Sequence, residues 1–263
     1  MKFIPLTWVD LTLAALLVLT LAGLSLRLRL GLEKQVVIAA LRNVVQLSLV
    51  GVVLKALFEN VHILWMALIA LVMLAAAGYE VVARQNRRFR GGWGFAMGTS
   101  SMFVSTFSVT LIALLAIIRP DPWYMPQYAI PLLGMLFGNS MNGVALGLDR
   151  LTQTAWQQRA LIEARLMLGQ PWPEAIADIR RDSVRSGMIP IINAIATAGI
   201  VSLPGMMTGQ ILAGAPPLEA VKYQILIMFL IAAGTGFGCL AATTLAARRL
   251  FDQRHRLRLD RLR

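Results

Sequence analysis

The 263-residue chain is 57% hydrophobic and only 14% charged, with a mean hydropathy of +0.68. Soluble domains carry about 25% charged residues, so an ordinary cytosolic enzyme is excluded. A single cysteine, Cys239, excludes a disulfide scaffold, and the net charge of +12 places the basic residues in the polar segments of a membrane protein.

A helix crosses the hydrocarbon core with about 20 apolar residues. Apolar runs over 6–26, 35–58, 63–82, 93–118, 128–148, 188–203 and 221–247 predict an all-α polytopic membrane protein with about seven transmembrane helices, forming a single transmembrane domain over 1–263. The first run is too long for a signal-peptide core and lacks a small-residue cleavage site, so it is retained as a span. The sixth is short and ends at Leu203-Pro204-Gly205.

Basic residues set the orientation. Arg27, Arg29 and Lys34 follow the first run; Arg84, Arg87, Arg88 and Arg90 follow the third. Six arginines lie between the fifth and sixth, and seven close the chain, so 20 of the 25 basic residues fall on every second connection. The other connections hold Arg119, with Lys2, Lys55 and Lys222 near span ends. The positive-inside rule then puts the N-terminus outside and the C-terminus inside. The basic tail, 248–263, suits anionic membrane lipids; with no interleaved aromatic residues it does not suggest nucleic acid.

The connection 149–187 is expected to form a cytoplasmic helix over about 151–168, a stop at Gly169 with Pro171 beyond it, and a second helix starting at Pro173. Its core is Glu163-Ala164-Arg165-Leu166-Met167-Leu168-Gly169-Gln170-Pro171-Trp172-Pro173-Glu174-Ala175. This resembles the E-A-A-x-x-x-G loop of ABC-transporter permeases, with Arg165 in place of the second alanine. The resemblance implies a coupling helix that seats in an ATPase subunit, contacting it through Glu163, Ala164, Leu168, Gly169, Pro171, Glu174 and Ala175. A plain amphipathic helix on the headgroups is the other reading, which Trp156 and Trp172 also suit.

Further segments carry a wider resemblance: Leu133-Gly134-Met135-Leu136-Phe137-Gly138-Asn139-Ser140-Met141-Asn142, Arg181-Asp182-Ser183-Val184-Arg185, Ile189-Pro190, 199–209 and Lys222-Tyr223-Gln224. Together they resemble the FetB-type iron-export permeases, related to the plant aluminium-tolerance half-transporters. That family implies the membrane subunit of an ABC transporter with its ATPase on a separate polypeptide.

Polar residues within the runs are candidates for the translocation path, because intramembrane polar groups must face protein or water. Arg42, Asn43 and Gln46 interrupt the second run, with snorkelling to the interface as the alternative for Arg42. Asn139 and Asn142 share a face of the fifth, and Asn193 and Thr197 a face of the sixth; interhelical packing explains them equally. Pro204 and Gly205 cannot continue a regular helix, so with Met206 and Met207 they mark either a bend or re-entrant segment near the outer face that serves as a gate, or a simple interfacial turn. The two methionines are soft ligands or gap-filling packing. Glu80 is the best-placed carboxylate, though pairing with Arg84 is its simpler role. His62 and His255 fall outside the runs and are expected to be solvated. The sequence leaves any metal ligand set undefined.

No lysine sits in a G-x-x-x-x-G-K-[S/T] loop, so the chain is expected to bind no cofactor and to be no enzyme, with ATP bound by a partner subunit. The sequence-level expectation is a permease that exports iron from a bacterial inner membrane, working as a homodimer with an ABC ATPase. Another ABC substrate, such as a nucleotide sugar, and a self-contained secondary carrier are the alternatives. The carrier would need intramembrane carboxylates or histidines, which the runs nearly lack.

Overall fold

The computed structural model describes residues 7–59 and 61–263, except for the side chain of Trp8. Lys2 and the expected start of the first span at Leu6 lie outside the described residues. The chain divides into two compact units, Met1–His62 and Ile63–Arg263.

The first unit holds α1 (Trp8–Arg27) and α2 (Glu33–Glu59), which pack against each other. Thr7 and Asp10 form a reciprocal capping box that fixes the start of α1. The connecting turn puts Arg29 and Gly31 at positive φ, and the Ser25 hydroxyl accepts the Leu32 N–H at 3.2 Å.

The second unit contains α3 (Ile63–Ala83), α4 (Trp93–Ile112, continuing as a π-turn over Ala113–Ile118), α5 (Pro126–Gln157) and α6 (Arg159–Met167). It continues with the short α7 (Trp172–Ala175), then α8 (Ala177–Thr197), α9 (Gly205–Leu212) and α10 (Pro217–Arg249). Helix α5 is central and packs on α3, α4, α8 and α10. Its direction relative to each follows from paired residues. Gly143 lies against Gly187 and Gly147 against Ser183, so α5 and α8 are antiparallel. Gly143 also meets Thr235 and Gly147 meets Thr243, so α5 and α10 run in parallel. These approaches require glycine. A Cβ on Gly187 would stand 2.5 Å from both the Gly143 carbonyl oxygen and Cys239 Sγ. Small residues bring membrane helices into this backbone contact, where van der Waals packing replaces the hydrophobic drive that lipid cannot supply.

Among the described residues, six helices are long and apolar enough to cross a membrane: those at 9–27, 33–59, 63–83, 93–118, 126–157 and 217–249. Large apolar side chains such as Leu64, Val104 and Phe229 point outward from them, as a lipid solvent allows. The expected run 188–203 is organised differently. Its helical part ends at Thr197 and is the apolar half of α8, whose first half carries Arg180, Arg181 and Arg185. A turn with Gly199 at φ 83° follows. Because α8 is antiparallel to α5, it nonetheless carries the chain back along the bundle. As a result the C-terminal ends of α3, α5 and α10 and the N-terminal ends of α4 and α8 share one end of this unit. That end collects Arg84–Arg90, the arginines of 149–187 and the arginine-rich tail, the grouping that the alternation of charge requires.

Candidate coupling bend and polar cluster

The bend is built differently in detail from the sequence expectation. Helix α5 runs nine residues past 148 to Gln157, and the expected helix over 151–168 is therefore divided between α5 and α6 at Gln158. Gly169 adopts φ 88°, the conformation that ends a helix with its last carbonyls capped. Gly169 N–H donates to the Leu166 carbonyl and Gln170 N–H to the Arg165 carbonyl. The second helix starts one residue early, at Trp172, and α7 ends after a single turn before α8.

Arg165, the departure from the E-A-A pattern, braces this bend. Its guanidinium donates to the Ala175 carbonyl at 3.2 Å and to the Asp178 carboxylate at 3.1 Å. Ile162, Ala175 and Ile176 are buried beneath it, so the bend is anchored by an apolar underside. Of the expected coupling residues, Glu163, Leu168, Gly169, Pro171 and Glu174 are exposed on its outer surface. Ala164 is half-buried and Ala175 fully buried, so Ala175 serves the brace and not the outer face. Met167 and Leu168 project at the tip, each more than 80% exposed.

The tail also reaches the bend, which the sequence did not suggest. Trp172 stacks on Phe251, and the Trp172 N–H donates to His255 Nδ1 at 3.2 Å. His255 is exposed as expected, but it is a hydrogen-bond acceptor held at φ 58° and not merely solvated. The tail folds as a tight hairpin. Arg254 and Arg256 N–H groups donate to the Asp252 carboxylate at 2.9 Å, and Arg258 N–H returns to the Leu250 carbonyl at 2.7 Å. The Arg256 N–H, ahead of the other groups, holds the Asp252 carboxyl below the usual carboxylate range. Arg258 donates two side-chain hydrogen bonds to Asp260 and pulls that carboxyl down to about 2. Beyond the hairpin the chain pairs with the 84–92 connection: Arg88 and Arg263 exchange backbone hydrogen bonds, and Arg90 N–H donates to the Arg261 carbonyl.

A polar cluster lies between α3 and α5. Arg84 ion-pairs with Glu80 at 3.7 Å, the simpler role expected for that carboxylate, and donates to Asn142 Oδ1. A cavity of about 290 Å³ is lined by Arg84, Asn142, Asp149 and Pro190, so it brings α3, α5 and α8 together. Asn139 is one turn from Asn142, half-buried, and bonds back to the Met135 carbonyl. Asn193 lies one turn beyond Pro190, with Thr197 bonding to its carbonyl. Both residues of α8 are exposed. Arg42, Asn43 and Gln46 belong to the first unit, exposed on α2. Pro204 and Gly205 do not interrupt a span but start α9, which packs on α10 with Met206 and Met207 half-buried. Among the described residues no three of His, Cys, Asp or Glu converge as a metal-binding group. Arg84 is the site residue that sequence reasoning gave least; its partner Asn142 lies 58 positions away.

The profile described as "Uncharacterised protein family (UPF0014)" matches residues 8–251. The UPF0014 membrane protein slr1647 of Synechocystis sp. is 39% identical over 87% of this chain and 87% of its own length. The Escherichia coli protein named "Probable iron export permease protein FetB" is 32% identical over 96% of this chain and 95% of its own. The UPF0014 membrane protein STAR2 of Oryza sativa subsp. japonica is 36% identical over 85% and 76%. No solved structure matches the chain significantly. With the profile covering nearly all of its length and relatives matched over most of theirs, the chain belongs to the UPF0014 family of membrane proteins.

Proposed function

We propose that the chain is the membrane-spanning permease subunit of an ABC transporter, exporting iron with energy from ATP hydrolysed on a separate ATPase subunit. The observation that carries this reading is the braced bend. An exposed tip, Met167-Leu168-Gly169, stands on a buried underside and is tied by Arg165 to α8, which packs along the central α5. A rigid element of that kind moves as a body, so force applied at its tip reaches helices that line the α3/α5/α8 cavity. The name carried by the E. coli relative supports iron and export. The chain has one bend, whereas two ATPases act on a shared path, so the working unit is a permease homodimer, in a bacterial inner membrane, N-out and C-in. ATP binds the partner.

The test is co-purification of the permease with its ATPase, together with ATPase stimulation. Glu163→Arg and Gly169→Pro change the bend without touching a span. Both variants should insert at normal abundance yet lose ATPase recruitment or stimulation. Wild-type values for both readouts in both variants would make the bend a surface helix only.

A further inference from the structure

The arginine-rich end holds a cavity that the coupling reading does not use. It lies between the first turn of α4, the last turns of α10 and the tail hairpin, with a volume of about 670 Å³. One side is apolar: Trp93 and Leu245 are exposed, and Met97 closes the floor. The other side carries five arginines, Arg248, Arg249, Arg254, Arg256 and Arg261, against a single carboxylate, Asp252. That carboxylate is already engaged by two backbone N–H groups and by the Arg256 guanidinium at 3.4 Å. The cationic charge of the cavity is therefore largely uncompensated by protein.

Two details indicate what fills it. Arg249 stacks over Trp93 at 4.2 Å, which fixes its guanidinium plane at the cavity wall, and its buried Nε has no acceptor among the described residues. A buried donor without an acceptor costs free energy unless a ligand supplies one. Leu245, Ala241 and Phe237, four residues apart in turn, form an apolar row that runs from the cavity away from the arginines and along α10, with Leu245 and Phe237 exposed and Ala241 half-buried. A ligand suited to both halves is anionic at one end and hydrocarbon at the other. We propose that this cavity binds the phosphate-bearing headgroup of an acidic phospholipid, with an acyl chain lying along the Leu245–Ala241–Phe237 row of α10. Guanidinium forks match phosphate oxygens bidentately, and Trp93 sits where aromatic residues mark the membrane interface.

The test uses the full chain in nanodiscs of phosphatidylcholine doped with phosphatidylglycerol, with retained lipid read by native mass spectrometry. Wild type should retain phosphatidylglycerol preferentially. The combined variant Arg248→Gln, Arg254→Gln and Arg256→Gln should lose that preference by about a hundredfold, the share of three interfacial arginines. Removing equal charge elsewhere at this end, by Arg150→Gln, Arg159→Gln and Arg185→Gln, should change it by less than about threefold. A second readout needs no variant: phosphatidylglycerol should slow hydrogen exchange over 252–261 in the unmodified protein. No lipid preference in wild type, or equal loss in both variants, would overturn the proposal. Equal protection of 252–261 by pyrophosphate in pure phosphatidylcholine discs would also overturn it, by making the ligand a free phosphate.

Discussion

Trp172 and Phe251 stack with 5.6 Å between ring centroids and 28° between planes, and through this pair the 163–175 bend rests on the segment that follows α10. Phe251 is buried, and its neighbours in the tail pair with the connection between α3 and α4. The bend is therefore in contact, through the tail, with the connection between α3 and α4 and with the end of α10 as well as with α8.

Phe251→Leu keeps most of the buried volume and removes the stack. Aromatic pairs contribute about 0.5–1.5 kcal/mol beyond burial, so the variant should remain folded with a modestly lower Tm. Its ATPase recruitment should hold while substrate-stimulated hydrolysis falls. Phe251→Ala should cost about 3–5 kcal/mol and lower the membrane abundance itself. Thermal melts and abundance separate the two effects.

Arg165→Ala removes two hydrogen bonds that span the bend. Both are partly exposed and one is to a carboxylate, so the stability loss should be about 1 kcal/mol. Coupling should fall more than stability, because the tip loses its tie to Asp178 of α8. Arg165→Lys, with a single ammonium in place of the fork, should recover only part of the coupling. The ratio of ATP hydrolysed to substrate moved is the readout.

Gly187→Ala places a methyl group against the Gly143 carbonyl and Cys239 Sγ. Overpacking of this kind costs about 1–3 kcal/mol, so detergent-extracted protein should melt at a lower temperature. Gly143→Ala acts at the same contact, and the double variant should depart from additivity. Gly209→Ala, where a Cβ has open space, should have little effect.

The tail hairpin should resist acid to an unusual degree. Asp260 has its carboxyl depressed by Arg258, so its contribution is complete above its ordinary value near 4 and is lost as pH falls toward about 2. The protection factors over 258–262, with exchange corrected for its intrinsic base catalysis, should be constant from pH 8 to about 4 and should fall below that. Asp260→Asn should remove the acid transition and raise exchange at neutral pH.

Orientation is open to cysteine labelling. Replacements at Pro122 and Pro217 should react from outside and at Gln157 from inside, against a background kept low by the buried Cys239. Labelling of all three from one side would contradict the alternating topology.

The long apolar runs made α1 to α4 and α10 legible to within a few residues, because a lipid-facing helix advertises itself by composition alone. Helix α8 was obscured by the arginines of its first half, which face the polar end while its glycine and serine side packs on α5. The bend was visible through Gly169 and Pro171, whose backbone preferences are local. The division of α5 from α6 at Gln158 was not, since no breaker residue marks it. Least legible was the tail. Arg90 Nε donates to the Leu262 carbonyl across 172 positions, and no local pattern encodes such a pairing. Arg84 with Asn142 was hidden for the same reason, whereas Glu80 with Arg84, four residues apart, was not.

The central claim is tested most directly by iron(II) flux in proteoliposomes holding the permease with its ATPase. ATP supplied on the side of the arginine-rich end should drive iron(II) toward the opposite side, and Gly169→Pro should abolish that flux while hydrolysis continues or the complex dissociates. Flux of equal rate without the ATPase, or wild-type ATP-driven flux in Gly169→Pro, would contradict the assignment of this chain as an ATPase-coupled permease.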